Sequence, residues 1–164
     1  MPGMTGLANH RQDGLRSDDP LALQSQVCFA LAVANRSVLA VYRPLLEPMG
    51  LTHPQYLVML ALWERDGALS VRELAGILQL DPATVSPLLK RLEAADYLTR
   101  ARSAGDERQL EITLTPSGRR LRRRAERIPA AVMARLGVDF ADLHNLHRVL
   151  TDINTAALAA AADR

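Results

Sequence analysis

Apolar residues recur at helical spacing along most of this chain and alternate strictly in one short stretch near its middle. Val71, Leu74, Ala75 and Leu78 mark one face of a helix opened by Ser70-Val71-Arg72-Glu73. That tetrad is a capping box, in which the serine oxygen takes the Glu73 N–H and the glutamate reaches back to the serine. Asp81-Pro82 restarts the chain as an N-cap and first-turn pair, and the helix it opens runs to about Ala95. On it Val85, Leu88, Leu89 and Leu92 share a narrow arc, Ala83, Thr84, Ser86, Lys90 and Arg91 lie on or beside the opposite face, and Pro87 bends the helix. Two helices across a tight turn, the second apolar behind and polar or cationic in front, predict a helix-turn-helix. Next, Leu110, Ile112 and Leu114 alternate with Gln109, Glu111 and Thr113, a half-buried strand that Tyr97–Arg102 can pair, with residues 103–108 as the tip. The expected fold class is mainly α with a small β wing.

The flanking segments are helical and greasier than one small domain can use. A long helix is expected from Asp19-Pro20 through Leu21, Leu23, Val27, Phe29, Leu31, Val33, Val38, Leu39 and Val41, with Pro44 and Pro48 kinking or ending it. It is hydrophobic nearly all round, which calls for burial on more than one side. Thr52-His53-Pro54-Gln55 is a second capping box, ahead of a support helix carrying Tyr56, Leu57, Met59, Leu60, Leu62 and Trp63. Tyr56 and Trp63 read as core. Thr115-Pro116-Ser117-Gly118 starts the helix after the wing and Pro129 interrupts it; Asp139 caps the last helix, striped by Phe140, Leu143, Leu150, Ile153 and Ala157. The expected organisation is a disordered tail over 1–18, an N-terminal dimerisation helix region over 19–50, a winged helix-turn-helix domain over 51–115 and C-terminal dimerisation helices over 116–164. Apolar faces left over at both ends imply a homodimer.

Charge sharpens this picture. The chain of 164 residues carries a net charge of only +2, yet residues 82–124 hold ten Lys/Arg against five Asp/Glu. A local basic surface on a nearly neutral chain points to nucleic acid, here double-stranded DNA. Arg100, Arg102, Asp106 and Arg108 are the candidate wing residues, the arginines being suited to phosphates or a narrow minor groove. The arginine run from Arg119 to Arg124 reads as a solvated face. One cysteine, Cys28, excludes an internal disulfide and a multi-cysteine metal site. His144 and His147 with Asp142 lack the further ligands of a metal site, so no metal or cofactor is expected. With no uninterrupted apolar run of about 18 residues and no apolar core in Met1–Asp19, neither a membrane span nor secretion is expected, and the setting is cytoplasmic. No Ser-His-Asp arrangement, Gly-rich phosphate loop, Cys-x-x-Cys motif or resolving cysteine argues for an enzyme.

The capped support helix, reading helix, wing tipped by Asp106-Glu107-Arg108 and Leu114-Thr115-Pro116-Ser117-Gly118 together resemble the MarR family of dimeric winged-helix regulators, from about Leu21 to the C-terminus. Within it, Gln26-Val27-Cys28-Phe29-Ala30-Leu31, Tyr42-Arg43-Pro44-Leu45-Leu46, Thr52-His53-Pro54-Gln55-Tyr56-Leu57 and Pro87-Leu88-Leu89-Lys90-Arg91-Leu92-Glu93 are similar to the OhrR-type organic hydroperoxide sensors. The resemblance implies an inverted-repeat operator, an organic hydroperoxide as effector and Cys28 as the oxidised residue of a single-cysteine type, with a small cellular thiol as mixed-disulfide partner. It also implies tyrosines that hydrogen-bond the thiolate. One is kept as Tyr42; the residue before Pro54, often tyrosine in the family, is His53, and a third tyrosine position is Ala32.

Simple geometry adds a constraint. Cys28 and Tyr42 are fourteen positions apart on what reads as one helix, about 21 Å of rise, so a Tyr42 that bonds the sulfur comes from the partner chain. With the helix starting at Pro20, Cys28 is expected about nine residues past the N-cap, beyond the first turn, with no cation among Gln24, Ser25, Leu31 and Ala32. The thiolate donors are then Tyr42 and His53 across the interface, and Val27, Phe29 and Leu31 favour peroxides carrying alkyl groups. Two other functions fit the same residues: a regulator released by a small aromatic ligand between the dimer helices, with Cys28 incidental, and a thiol peroxidase, which the missing β/α alternation disfavours.

Overall fold

The order of elements follows the caps. A computed structural model describes residues 19–65, 67–103, 105 and 109–162; the expected tail over 1–18 lies outside them. The helices are α1 (Val27–Leu46), α2 (His53–Glu64), α3 (Val71–Leu78), α4 (Pro82–Ala94), α5 (Pro116–Ala125), α6 (Ile128–Leu136) and α7 (Phe140–Ala162). The strands are β1 (Leu69–Ser70), β2 (Leu98–Arg102) and β3 (Leu110–Leu114). By compactness the chain divides into Met1–Ala40 and Val41–Arg164.

In the first unit the structure corrects the expected helix start. Asp19-Pro20 opens only a turn, with Leu21 N–H donating to Asp19 Oδ1 at 2.9 Å, followed by a single 3₁₀ turn over Leu23–Ser25. The Gln26 side-chain amide donates to the carbonyls of Pro20 and Ala22, at 2.9 and 3.4 Å, and the Gln26 backbone is extended. These local bonds end the turn, so the α-helix begins at Val27 and Cys28 is its second residue. Val27, Phe29, Leu31 and Val33 are all exposed within the chain. By length and composition alone, Val27–Met49 reaches the hydropathy of a membrane-crossing segment, with a mean of 1.2, although Arg36 and Arg43 interrupt it.

The second unit holds the core. Leu46, Val58, Met59, Leu62, Leu74, Val85, Leu89, Leu92, Leu98 and Ile112 are its fully buried side chains, drawn from α1, α2, α3, α4, β2 and β3. Both predicted capping boxes form. Thr52 N–H donates to Gln55 Oε1 at 2.8 Å; Ser70 N–H donates to Glu73 Oε2 at 2.7 Å while Glu73 N–H donates to Ser70 Oγ at 3.2 Å. Asp81 occupies the N-cap of α4 without a side-chain cap bond; its carbonyl takes the N–H groups of Thr84 and Val85 at 2.9 and 3.2 Å. Asp139 caps α7 through the Asp142 N–H, 2.7 Å from Oδ1.

The wing is three-stranded rather than a two-stranded hairpin. Its order is β1-β3-β2, antiparallel throughout, with Leu69 opposite Ile112 and Arg100 also opposite Ile112 on the other side. The wing root is tied down by backbone bonds that Thr115 organises. Its Oγ donates to the Asp96 carbonyl at 2.6 Å and accepts the Gly118 N–H at 3.0 Å, and its N–H donates to the Tyr97 carbonyl at 3.1 Å. A Cβ at Gly118 would collide with that Tyr97 carbonyl, so only glycine lets α5 approach the strand this closely.

Candidate nucleic-acid interface and sensor site

Helix α4 turns two different faces outward and inward. Val85, Leu89 and Leu92 are buried, whereas Ala83, Thr84, Pro87, Lys90 and Arg91 are exposed. Positions 83, 84, 87, 90 and 91 follow helical spacing, so Pro87 belongs to the outward face as well as bending the helix. Ser86 is half-buried, and its hydroxyl donates to the Pro82 carbonyl at 2.9 Å, a local bond back to the preceding turn. The outward face therefore presents small and apolar groups at its N-terminal end and two cations toward its C-terminal end. This is a surface that can enter a groove and neutralise phosphate at once.

The wing arginines differ from one another. Arg102 is exposed at the outer end of β2. Arg100 is engaged: its Nε and Nη2 donate to Glu93 Oε2 at 2.8 and 2.6 Å, and its backbone N–H donates to Glu93 Oε1 at 3.0 Å. The paired guanidinium holds the Glu93 carboxyl below its ordinary range, chiefly through the side-chain bond. Asp106 and Arg108 lie outside the described residues. Among the described residues no group of three or more His, Cys, Asp or Glu side chains could hold a metal ion.

A second cluster forms where α1 meets α2. Tyr42 and His53 are in edge-to-face contact, with ring centroids 4.9 Å apart, and Tyr56 lies 6.2 Å from the first and 6.3 Å from the second. The Thr52 cap and Pro54 in the first turn of α2 aim His53 at α1. Burial lowers the proton affinity of His53, which favours the neutral imidazole. Burial also raises that of Tyr56, with a smaller contribution from Tyr42, so Tyr56 stays a neutral phenol. A neutral phenol and a neutral imidazole are both hydrogen-bond donors. Cys28 belongs to the other unit and is exposed, in the first turn of α1, where backbone N–H groups lack intrahelical partners.

Comparison with known proteins decides the family. The profile described as "Transcriptional regulator SarA/Rot" matches residues 40–124. The organic hydroperoxide resistance transcriptional regulator of Bacillus subtilis is 38% identical over 132 residues, covering 80% of this chain and 89% of the relative. The HTH-type transcriptional regulator TtmR of Methylorubrum extorquens is 48% identical over 121 residues, 74% of this chain, which spans only 62% of that relative's length. Reduced AbfR of Staphylococcus epidermidis bound to DNA superposes with a TM-score of 0.73 at 31% identity, covering 84% of this chain and 93% of that one; AbfR is also known overoxidised on DNA and in a disulfide form.

The chain belongs to the MarR family. It is a winged-helix transcriptional regulator of the OhrR type and not an enzyme. For a MarR-family chain the reading helix and wing were legible in sequence; Tyr56 and Glu93 were not. Tyr56 looks like core because it is core: it is 4% exposed while its ring still abuts Tyr42 and His53. The signal available for it was adjacency, since it sits three residues after His53 on the same helix. Glu93 carries no sequence signal, because its partner lies across the turn between helix and strand.

Proposed function

We propose that this chain is a homodimeric repressor that leaves its inverted-repeat operator when Cys28 is oxidised by an organic hydroperoxide. The observation that carries the reading is the Tyr42–His53 contact beside Tyr56, a pre-assembled set of hydrogen-bonding rings on a chain whose one cysteine lies on a different unit. In the dimer those donors reach the partner's sulfur, and the exposed apolar surface of α1 that could pass for a membrane segment is covered by the second copy. The start of α1 at Val27 supports the chemistry further, since the positive end of a helix suits an anionic sulfur.

The Cys28 thiolate attacks the terminal peroxide oxygen: an S–O bond forms, the O–O bond breaks, and the alkoxide takes a proton and leaves as the alcohol. A small cellular thiol then condenses with the sulfenic acid, forming S–S and releasing water. The added bulk at the interface rotates the subunits and changes the roughly 34 Å spacing of the reading helices. Ala83, Thr84, Ser86, Lys90 and Arg91 enter the major groove, while Arg102 and Arg108 reach phosphate or the minor groove.

The test uses a duplex selected in vitro with the wild-type dimer. Cys28→Ser binds that duplex as wild type does and stays bound when cumene hydroperoxide is added, whereas wild type is released in a gel shift. Release of the serine variant by peroxide overturns the mechanism. A second reading, release by a small aromatic acid with Cys28 incidental, draws on a cleft of about 450 Å³ lined by Tyr56, Leu60, Trp63 and Arg122. Release of Cys28→Ala by such a ligand alone selects it.

A further inference from the structure

The wing leaves the C-terminal end of the reading helix, and besides the Thr115 bonds at its root a carboxylate of that helix holds it. Glu93, the penultimate residue of α4, accepts three hydrogen bonds from Arg100: two from the guanidinium and one from the backbone. The backbone bond is the telling one. Strand β2 is an edge strand, bonded to β3 on one side only. The Arg100 N–H therefore faces away from the sheet, and Glu93 takes the donor that an edge leaves over. A carboxylate that grips both the main chain and the side chain of one residue fixes the strand's position as well as its distance, since bidentate charge-assisted bonds are strongly directional. Opposite Arg100, Ile112 is fully buried, so the gripped residue is also the one at which the sheet packs on the core.

We propose that Glu93 and Arg100 form the clamp that sets the pitch of the wing against the reading helix, and that Arg100 is a positioning residue rather than a phosphate contact. The inference rests on the winged-helix reading of DNA binding above. Its consequence runs against simple electrostatics. Glu93 is an acid on a basic DNA-reading head, and on charge alone its removal strengthens DNA binding. With the clamp, its removal weakens binding, because only the fraction of molecules with a correctly pitched wing docks both elements. Neither member contacts phosphate in this arrangement, so the number of counterions released is set by other residues and the salt dependence of binding stays as it was when either is replaced.

The experiment measures the affinity of the full-length dimer for the in vitro selected duplex by fluorescence anisotropy across a salt series. Glu93→Gln and Arg100→Gln each weaken binding about tenfold. The double variant is no weaker than either single one, since both break the same contact. The slope of log K against log salt is unchanged in all three, while Arg102→Ala lowers its magnitude by about one. Partial unfolding would also weaken binding at an unchanged slope, so the active fraction of each variant is fixed by stoichiometric titration with duplex and affinities are compared per active dimer. Tighter binding by Glu93→Gln, a slope reduced by about one in Arg100→Gln, or additive losses in the double variant overturns the clamp while leaving the DNA-binding reading intact. Failure of the wild-type dimer to enrich any duplex overturns both.

Discussion

Replacing Thr115 by valine keeps the shape of the side chain and removes one oxygen, which makes it a clean probe of the wing root. That oxygen carries two bonds in a residue only 8% exposed: it donates to the Asp96 carbonyl at 2.6 Å and accepts the Gly118 N–H at 3.0 Å. The second bond is the N-cap of α5, and loss of such a cap costs about 0.5–2 kcal/mol. The first satisfies the carbonyl of a residue held in the left-handed region, with φ of 60° at Asp96, where the backbone has few alternative ways to turn that carbonyl toward solvent. Leaving it unpaired adds about 1 kcal/mol. Thr115→Val is therefore destabilising by about 1.5–3 kcal/mol, a fall in Tm of about 3–12 °C for a chain of this length. Thermal unfolding followed by circular dichroism at one fixed protein concentration reads this out, because melting of the proposed dimer depends on concentration. Thr115→Ser is the control, as it keeps the oxygen and loses only a methyl group. If the valine variant melts within about 2 °C of wild type, or together with the serine variant, the oxygen does not hold the wing root.

Two further outcomes separate the remaining parts of the account. His53 has its proton affinity lowered by burial from an ordinary value of 6.5, so the unfolded chain takes up the proton first as pH falls. The stability is fully present above about pH 6.5 and declines as pH drops through the folded value; His53→Gln removes that share of the decline in urea midpoints, and an identical decline in both proteins refutes the burial argument. Val33 is exposed on α1, on the apolar surface proposed to be covered by the second copy, so Val33→Asp sediments as a monomer at micromolar concentration with its helical signal nearly intact. A variant that still sediments as a dimer moves the interface elsewhere.

The capping boxes at Thr52 and Ser70, the Asp81-Pro82 start and the single alternating run over 109–114 were readable because each is a local device. The atoms that satisfy one another lie within four residues, and the chain carries the whole instruction in order. Local chemistry also explains where reading failed. Asp19-Pro20 has the same signature as Asp81-Pro82, yet opens only a turn, because Gln26 bonds back to Pro20 and Ala22 and ends it. That difference puts Cys28 in the first turn of α1 instead of well past it. What tertiary packing decided has a different character. Strand β1 is two residues long, too short for any periodicity, and exists through its pairing with Ile112 and Glu111 some forty residues away. Arg100 and Glu93 are seven positions apart across a helix end and a turn, a separation at which only the fold determines whether a guanidinium meets phosphate or a carboxylate. Tyr42 comes from a different helix than His53 and Tyr56, and no spacing along the chain brings its ring to theirs. Caps and periodicity are properties of backbone bonding over a few residues. The wing clamp and the aromatic cluster are properties of distance in space, and they follow from how the buried faces of α2, α3 and α4 pack.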